Sequence, residues 1–267
     1  MTSFLDISRA GAVVTLRLNR PEEHNALTDR GQMQEFGDFC ADMRADQSVR
    51  AVILTGAGAS FCAGGNVKHM HRRAGMFEGT PYVLRNGYRD GIQRIPLALY
   101  ELEIPVIAAI NGAAIGAGLD LACMCDIRLA SETARFAESF VKLGIVPGDG
   151  GAWLLPRIIG LPRATLMAFT GDTIDSEQAL AWGMITERLP ADRLMPAAQA
   201  LAERIAANPG PAMRMTKRLL REGQHMRLDS LLEMSAAFQA LAHYTEEHGA
   251  AVESFVKMQA ARTRNKP

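Results

Sequence analysis

Pro105-Val106-Ile107-Ala108-Ala109-Ile110-Asn111-Gly112-Ala113-Ala114-Ile115-Gly116-Ala117-Gly118 carries an unbroken apolar run, a turn and then a glycine-punctuated string of mostly small residues. Five consecutive apolar positions, with no polar alternation, mark a strand buried on both faces. Asn111-Gly112 supplies the turn, and residues 115–124 read as a short helix rich in small side chains. Two further stretches repeat the strand signal: residues 50–56 (RAVILTG), ending in glycine, and residues 127–130. Buried strands alternating with helices at this spacing predict an α/β fold with a parallel sheet.

Toward the N-terminus, residues 4–8 and 12–18 are β-prone runs separated by Arg9-Ala10-Gly11, a hairpin pattern. Thr28 is placed to cap a helix running to about Arg44, with Met33, Phe36, Phe39, Cys40 and Met43 on one side. After about Gly150 the chain reads as nearly all helical, broken at Gly160, Gly171, Gly183 and Asn208-Pro209-Gly210. The reading is an α/β core over residues 1–190 and a C-terminal helical region over 191–267. Such a region packs across its own core or onto a neighbouring subunit.

The bulk properties narrow the function. The chain has 267 residues, 48% apolar and 22% charged, as in ordinary globular proteins. Lys plus Arg and Asp plus Glu are 29 each, so no net field draws the chain to nucleic acid or an anionic membrane. No apolar run approaches the ~20 residues that span a bilayer, and the N-terminus lacks the basic-then-apolar pattern of a signal peptide. Cys40, Cys62, Cys123 and Cys125 are too few for a disulfide scaffold and lack zinc-site spacing. Reduced thiols and a cytoplasmic location are expected. His69 and His71 have no third ligand nearby in sequence, so no metal site is expected.

The loops carry the chemistry. Gly56-Ala57-Gly58-Ala59-Ser60-Phe61 begins like a dinucleotide fingerprint, but Phe61 stands where the third glycine belongs. No phosphate-binding GxxxxGK[ST] or nucleophile-elbow GxSxG occurs. Two Gly-rich turns remain: Phe61-Cys62-Ala63-Gly64-Gly65-Asn66 and the 111–118 segment. Each is read as following a buried strand and leading directly into a helix. A helix start leaves backbone N–H groups unpaired and partly positive. Two such ends brought together make convergent donors, the geometry of an oxyanion hole. Glycines kept only for tight packing are the competing explanation.

The same segments resemble the enoyl-CoA hydratase/isomerase (crotonase) family. The likeness runs through Asn19-Arg20-Pro21, His24-Asn25-Ala26-Leu27, Phe61-Cys62-Ala63-Gly64-Gly65-Asn66-Val67-Lys68 and Pro105 to Leu121. It continues through Cys125-Asp126-Ile127-Arg128, Leu143-Gly144-Ile145-Val146-Pro147-Gly148-Asp149-Gly150-Gly151 and Leu155-Pro156-Arg157-Ile158-Ile159-Gly160. The resemblance implies a crotonase-like spiral of ββα turns with a C-terminal helical extension, assembled as a homotrimer or dimer of trimers through that extension. It implies an acyl-CoA thioester substrate and no separate cofactor, coenzyme A being part of the substrate. By the same likeness the N–H groups of Gly65 and Ala117 would hold the thioester oxygen. His24, Asn25, Ala26, Leu27, Ala63, Gly64, Asn66, Val67 and Lys68 would line the coenzyme A groove. Arg20, Lys68, Arg72 and Arg73 are candidates for its phosphates. Phe255 and Lys257 resemble a segment that touches coenzyme A across subunits, although the family's run of basic residues is replaced here by Lys257-Met258-Gln259.

One departure matters. The family's hydratases use two glutamates, the first at the position of Asp120 and the second four residues before Gly144, where this chain has Phe140. A phenyl ring cannot move a proton. Asp120 and Asp149 remain as acid–base candidates, Asp149 being either a base or the cap of the following helix. Glu138 would share the facing of Phe140 only if that segment were extended. The implied activity is hydration or isomerisation of an enoyl-CoA through an enolate held at the oxyanion hole. Alternatives are another reaction of the family (acyl-CoA hydrolysis, dehalogenation or C–C cleavage) or a non-catalytic acyl-CoA- or RNA-binding relative. Met76, Phe77, Tyr82, Phe140 and Trp153 are expected to shape the acyl pocket.

Overall fold

The computed structural model describes residues 3–264; the first two and last three residues of the two expected regions lie outside it. The chain opens with the expected hairpin, β1 (Leu5–Ala10) antiparallel to β2 (Val13–Leu18). Helix α1 (Arg30–Ala45) follows, then β3 (Ala51–Gly56), β4 (Ser60–Cys62), α2 (Val67–Arg72), α3 (Pro81–Asp90) and α4 (Arg94–Glu101). The central part runs β5 (Val106–Ile110), β6 (Ala113–Ile115), α5 (Ala117–Met124), β7 (Ile127–Ser131) and β8 (Arg135–Ala137). Then come α6 (Gly151–Ile159), α7 (Leu161–Thr170), β9 (Thr173–Asp175), α8 (Ser176–Ala181) and β10 (Glu187–Leu189). Four helices end the described chain: α9 (Ala191–Ala206), α10 (Gly210–Glu222), α11 (Leu228–His243) and α12 (Glu246–Arg264).

The strands form two sheets, one of six strands in the order β1-β2-β3-β5-β7-β10 and one of four in the order β4-β6-β8-β9. From β2 onward the large sheet is parallel, with Leu54 beside Ala108 and Ala108 beside Arg128. Every residue of β5 is buried, as an unalternating apolar run requires. Strands β3, β5 and β7 each hand the chain to a short strand of the second sheet (β4, β6 and β8) before the next helix, giving the spiral of ββα turns. This corrects the expectation that the Gly-rich turns pass directly from strand to helix. The intervening strands β4 and β6 are three residues each, too short to carry a readable period. Likewise β9 and β10 interrupt a stretch read as helical.

Asp29, not Thr28, caps α1. Its side chain accepts from Gln32 N, and the Gln32 side chain accepts from Asp29 N in return, a capping box. Helix α9 lays Leu194, Ala198 and Ala202 on the outer face of the large sheet, against Val13, Ala51, Ile53, Ile107, Ala109 and Leu129. The division at residue 190 therefore places one of the sheet's own covering helices beyond the boundary. Helix α10 is pinned by three buried cations. Lys217 Nζ donates to Asp126 and to Ile104 O, both at 2.6 Å. Arg221 meets Asp126 at 3.0 Å and Leu99 O at 3.1 Å, and Arg214 donates to the carbonyls of Asp46 and Val49. Among the described residues no helix is long and apolar enough to cross a membrane.

Candidate active site

The segment carrying His24, Asn25, Ala26 and Leu27 lies along the first Gly-rich turn. Ala63 N donates to His24 O (3.0 Å) and Leu27 N to Gly64 O (2.8 Å). Asn25, fully buried with φ 58°, turns its side chain inward. Its amide donates to the carbonyls of Ala57, Ser60 and Phe61, and its Oδ1 accepts from Arg20 N. The Asn66 side chain is also engaged, capping α2 through Lys68 N and His69 N. These two coenzyme A candidates thus use their side chains to shape the loop. Ala26 and Leu27 are buried, while His24, Val67, Lys68, Arg72 and Arg73 are exposed along this edge.

The two turns meet at the oxyanion candidates. Ala117 opens α5 behind Gly116 (φ 53°), so its N–H has no carbonyl within the helix to bond. The bridge between Leu27 and Gly65 runs through Leu27 N and Gly64 O, leaving Gly65 N–H outside it. A Cβ on Gly64, which has φ 85°, would sit 2.5 Å from Ile115 O and 3.3 Å from Ala117 N. Gly64→Ala is accordingly expected to force the turns apart and lower kcat about 10²–10³-fold, the effect of losing an oxyanion donor. Steady-state kinetics on variant protein with retained secondary structure checks this.

Three carboxyl groups gather beside this point. Asp120 lies three residues past Ala117, on the same face of α5. It is 0% exposed, Glu138 1% and Asp149 4%. Asp120 Oδ2 accepts from Gly151 N (3.0 Å), the first amide of α6. Helix α6 has Gly150 as its cap and no side-chain capping bond, so Asp149 does not act as its cap. Asp149 Oδ1, Asp120 Oδ1 and both Glu138 oxygens are buried without a hydrogen-bond partner. Burial pushes the Asp149 carboxyl up to about 6 and Glu138 up to about 7. Asp120 is raised well above the usual carboxylate range, first by burial and then by the charges of Glu138 and Asp149.

Glu138 is the residue that strand alternation failed to place. Residues 139–143 curl into a 3₁₀ turn, so positions 138 and 140 both turn inward without an extended backbone between them. The Phe140 ring lies over Gly116, 3.6 Å from where its Cβ would be. Tyr88 of α3, which no motif indicated, packs its ring against Gly148; burial and the Asp149 charge raise its hydroxyl above its ordinary value. Phe77 approaches Gly65, whereas Tyr82 is 69% exposed and away from a buried pocket. Trp153 packs edge-on to Tyr100 and beside His225. These three rings line a cavity of about 490 Å³, with Leu97, Gly148 and Gly150 in its wall.

Two facing Gly-rich turns lie beside buried carboxyl groups, an arrangement with the chemistry to hold an oxyanion and to move a proton. The enoyl-CoA hydratase/isomerase family model matches residues 8–262. Among curated proteins, the chain is 34% identical over 245 residues to the 1,2-epoxyphenylacetyl-CoA isomerase of Escherichia coli, covering 91% of this chain and 92% of that one. It is 34% identical over 253 residues to the short-chain-enoyl-CoA hydratase of Clostridium acetobutylicum, covering 94% of each. The crystal structure of the Bacillus anthracis enoyl-CoA hydratase superposes with a TM-score of 0.88 at 30% identity, over 96% of each chain. The chain belongs to the enoyl-CoA hydratase/isomerase family, with the crotonase fold and an activity of the hydratase/isomerase type.

Proposed function

We propose that the chain shifts the double bond of an enoyl-CoA thioester by moving one proton between its α and γ carbons. One observation carries this choice over hydration. Phe140 fills the place of the second glutamate, against Gly116, while Asp149 offers a buried carboxyl with an unengaged oxygen. With a pKa of about 6, Asp149 is ionised near neutrality and suited to take a proton. In the forward direction Asp149 removes the α-proton of a β,γ-enoyl thioester, and the electron pair passes to the thioester oxygen between the N–H groups of Gly65 and Ala117. The double bond moves, the protonated Asp149 returns the proton to the γ carbon, and the carbonyl re-forms. No water is consumed. Asp120, kept protonated by its neighbours, adds no second negative charge beside the enolate.

One similar protein is an isomerase of an acyl-CoA thioester, 1,2-epoxyphenylacetyl-CoA, so isomerisation occurs among the relatives. The likeness to a short-chain hydratase, with two carboxyl groups still present, favours a second reading, in which Asp120 and Asp149 together activate water. In either case coenzyme A would lie along His24–Leu27 and the start of α2 and arrive with the substrate, with no resident cofactor. The exposed Leu228, Leu232 and Leu241 of α11, Tyr244 just after it and Phe255 of α12 support assembly as a trimer or dimer of trimers. A cytoplasmic location fits the four free cysteines.

Incubation with crotonyl-CoA and a 3-enoyl-CoA in deuterated water, followed by mass spectrometry, separates the readings. Double-bond migration, with or without deuterium uptake, and no water addition is the expected result. A mass gain of one heavy water would establish hydration and overturn the isomerase assignment.

A further inference from the structure

Glu138 and Asp120 come from different parts of the chain, just past β8 and in the first turn of α5, yet both turn toward the first residue of α6. A Cβ built on Gly151 would lie 2.5 Å from Glu138 Oε1 and closer still to Asp120 Oδ1. The two carboxyl groups thus converge on a space too small for a methyl group, and only glycine can begin the helix there. Among the described residues the one hydrogen bond donated to the pair, from Gly151 N–H, goes to Asp120 Oδ2. Both Glu138 oxygens and Asp120 Oδ1 are left without a donor. Two buried carboxylates cannot both stay ionised at such a distance without a cation between them.

Among the described residues no cationic side chain reaches the pair. Besides Asp120, α5 contributes Cys123, and the loop before α6 contributes Asp149. Tyr88 of α3 and Cys62 of β4 face Asp149. Both thiols are pushed up by burial and are neutral at pH 7. Arg128 acts on Cys123, but its guanidinium is tied to the carbonyls of Met184 and Cys125. Among the described residues, the carboxyl groups themselves can supply the missing donor if one of them holds a proton.

We propose that Asp120 and Glu138 share one proton at the start of α6, forming a carboxyl–carboxylate pair in which Glu138 is a positioning residue that keeps Asp120 protonated. The pair carries one negative charge instead of two. Asp120 can then stand beside the developing enolate as an acid, and Asp149 alone acts as the base. Like-charge pairs of this kind titrate as a unit, with the second proton leaving only at high pH. Glu138 would thereby set the alkaline limit of the reaction without touching the substrate.

Glu138→Gln tests this in two ways. The kinetic arm rests on the proton transfer proposed above. Without the neighbouring charge, and with an amide N–H to offer, the variant should let Asp120 ionise more readily. The alkaline limb of kcat should move down by about one pH unit or more, with KM little changed. The thermal arm needs no turnover. Glu138 is raised above its ordinary 4.5 in the folded chain. Its contribution to stability is therefore whole below that value and is lost as pH rises through about 7. The Tm advantage of Glu138→Gln over wild type should accordingly grow from pH 5 to pH 8. If the variant does not fold, the infrared band of a protonated carboxylic acid in wild-type protein at pH 8, lost in Asp120→Asn, reads the shared proton directly. An unmoved alkaline limb together with a pH-independent Tm difference, or absence of that infrared band, overturns the proposal. A moving Tm difference without turnover on either enoyl-CoA would retain the shared proton and count against the proposed reaction instead.

Discussion

Replacing Asp149 by Asn is expected to lower kcat by about 10³-fold, the usual contribution of a positioned acid–base group, while leaving KM within a few-fold of wild type. The asparagine keeps the size of the side chain and none of its basicity. In wild-type enzyme kcat should rise as pH increases through about 6, where Asp149 loses its proton. That limb should vanish in the variant. The stability effect has the opposite direction. Burial lifts the folded-state pKa from 3.8 to about 6, so the contribution of this carboxyl is full below 3.8 and is lost as pH rises through 6. Asp149→Asn should therefore be more stable than wild type at pH 7, on the order of 1–3 kcal/mol, with the gain disappearing toward pH 4. Activity lost and stability gained together would be the mark of a group held in an unfavourable site for its chemistry. A variant with wild-type turnover would remove Asp149 from the mechanism.

Asp126→Ala should give the largest loss of stability, about 3–5 kcal/mol. Asp126 holds Lys217 at 2.6 Å and Arg221 at 3.0 Å, and it accepts from the backbone N–H of Val106 at 2.7 Å. Lys217 and Arg221 are nearly inaccessible where α10 meets the core, with side-chain exposures of 7% and 10%. Without the carboxylate their charges stay buried beside one backbone carbonyl each. In thermal unfolding this corresponds to a Tm lower by about 10 °C for a chain of this size. Asp6→Ala, which removes an exposed partner 3.6 Å from Arg17, should change stability by less than about 1 kcal/mol. Equal effects of the two substitutions would disprove the anchoring role of Asp126.

Sequence reading succeeded where local composition and burial coincide. The strands β3 and β5 lie deep in the sheet, and their apolar runs say so without help from the rest of the chain. The same holds for the hairpin and for the glycines of the two turns, since close approach of a backbone excludes side chains wherever it occurs. The shift of the α1 cap from Thr28 to Asp29 is a one-residue error of the kind expected where two good caps adjoin. Amphipathic spacing does not reveal which surface a helix beyond residue 190 will cover. Only the large sheet claims α9 as its own.

The long strands and the first helices, the two Gly-rich turns and, through the whole pattern, the family are all legible in the residues alone. So is the loss of the second glutamate at Phe140. Whether Asp149 is a base or a cap, and whether Glu138 matters, depends instead on how the chain folds. A capping role rests on which amide the carboxyl reaches, and α6 begins on Gly150 without a side-chain bond. The place of Glu138 rests on the 3₁₀ turn after it, which breaks the two-residue alternation used to read strands. The protonation of a buried carboxyl is set by its distance from others distant in sequence. Asp120, Glu138 and Asp149 become acids or bases only when folding removes water and sets them against one another.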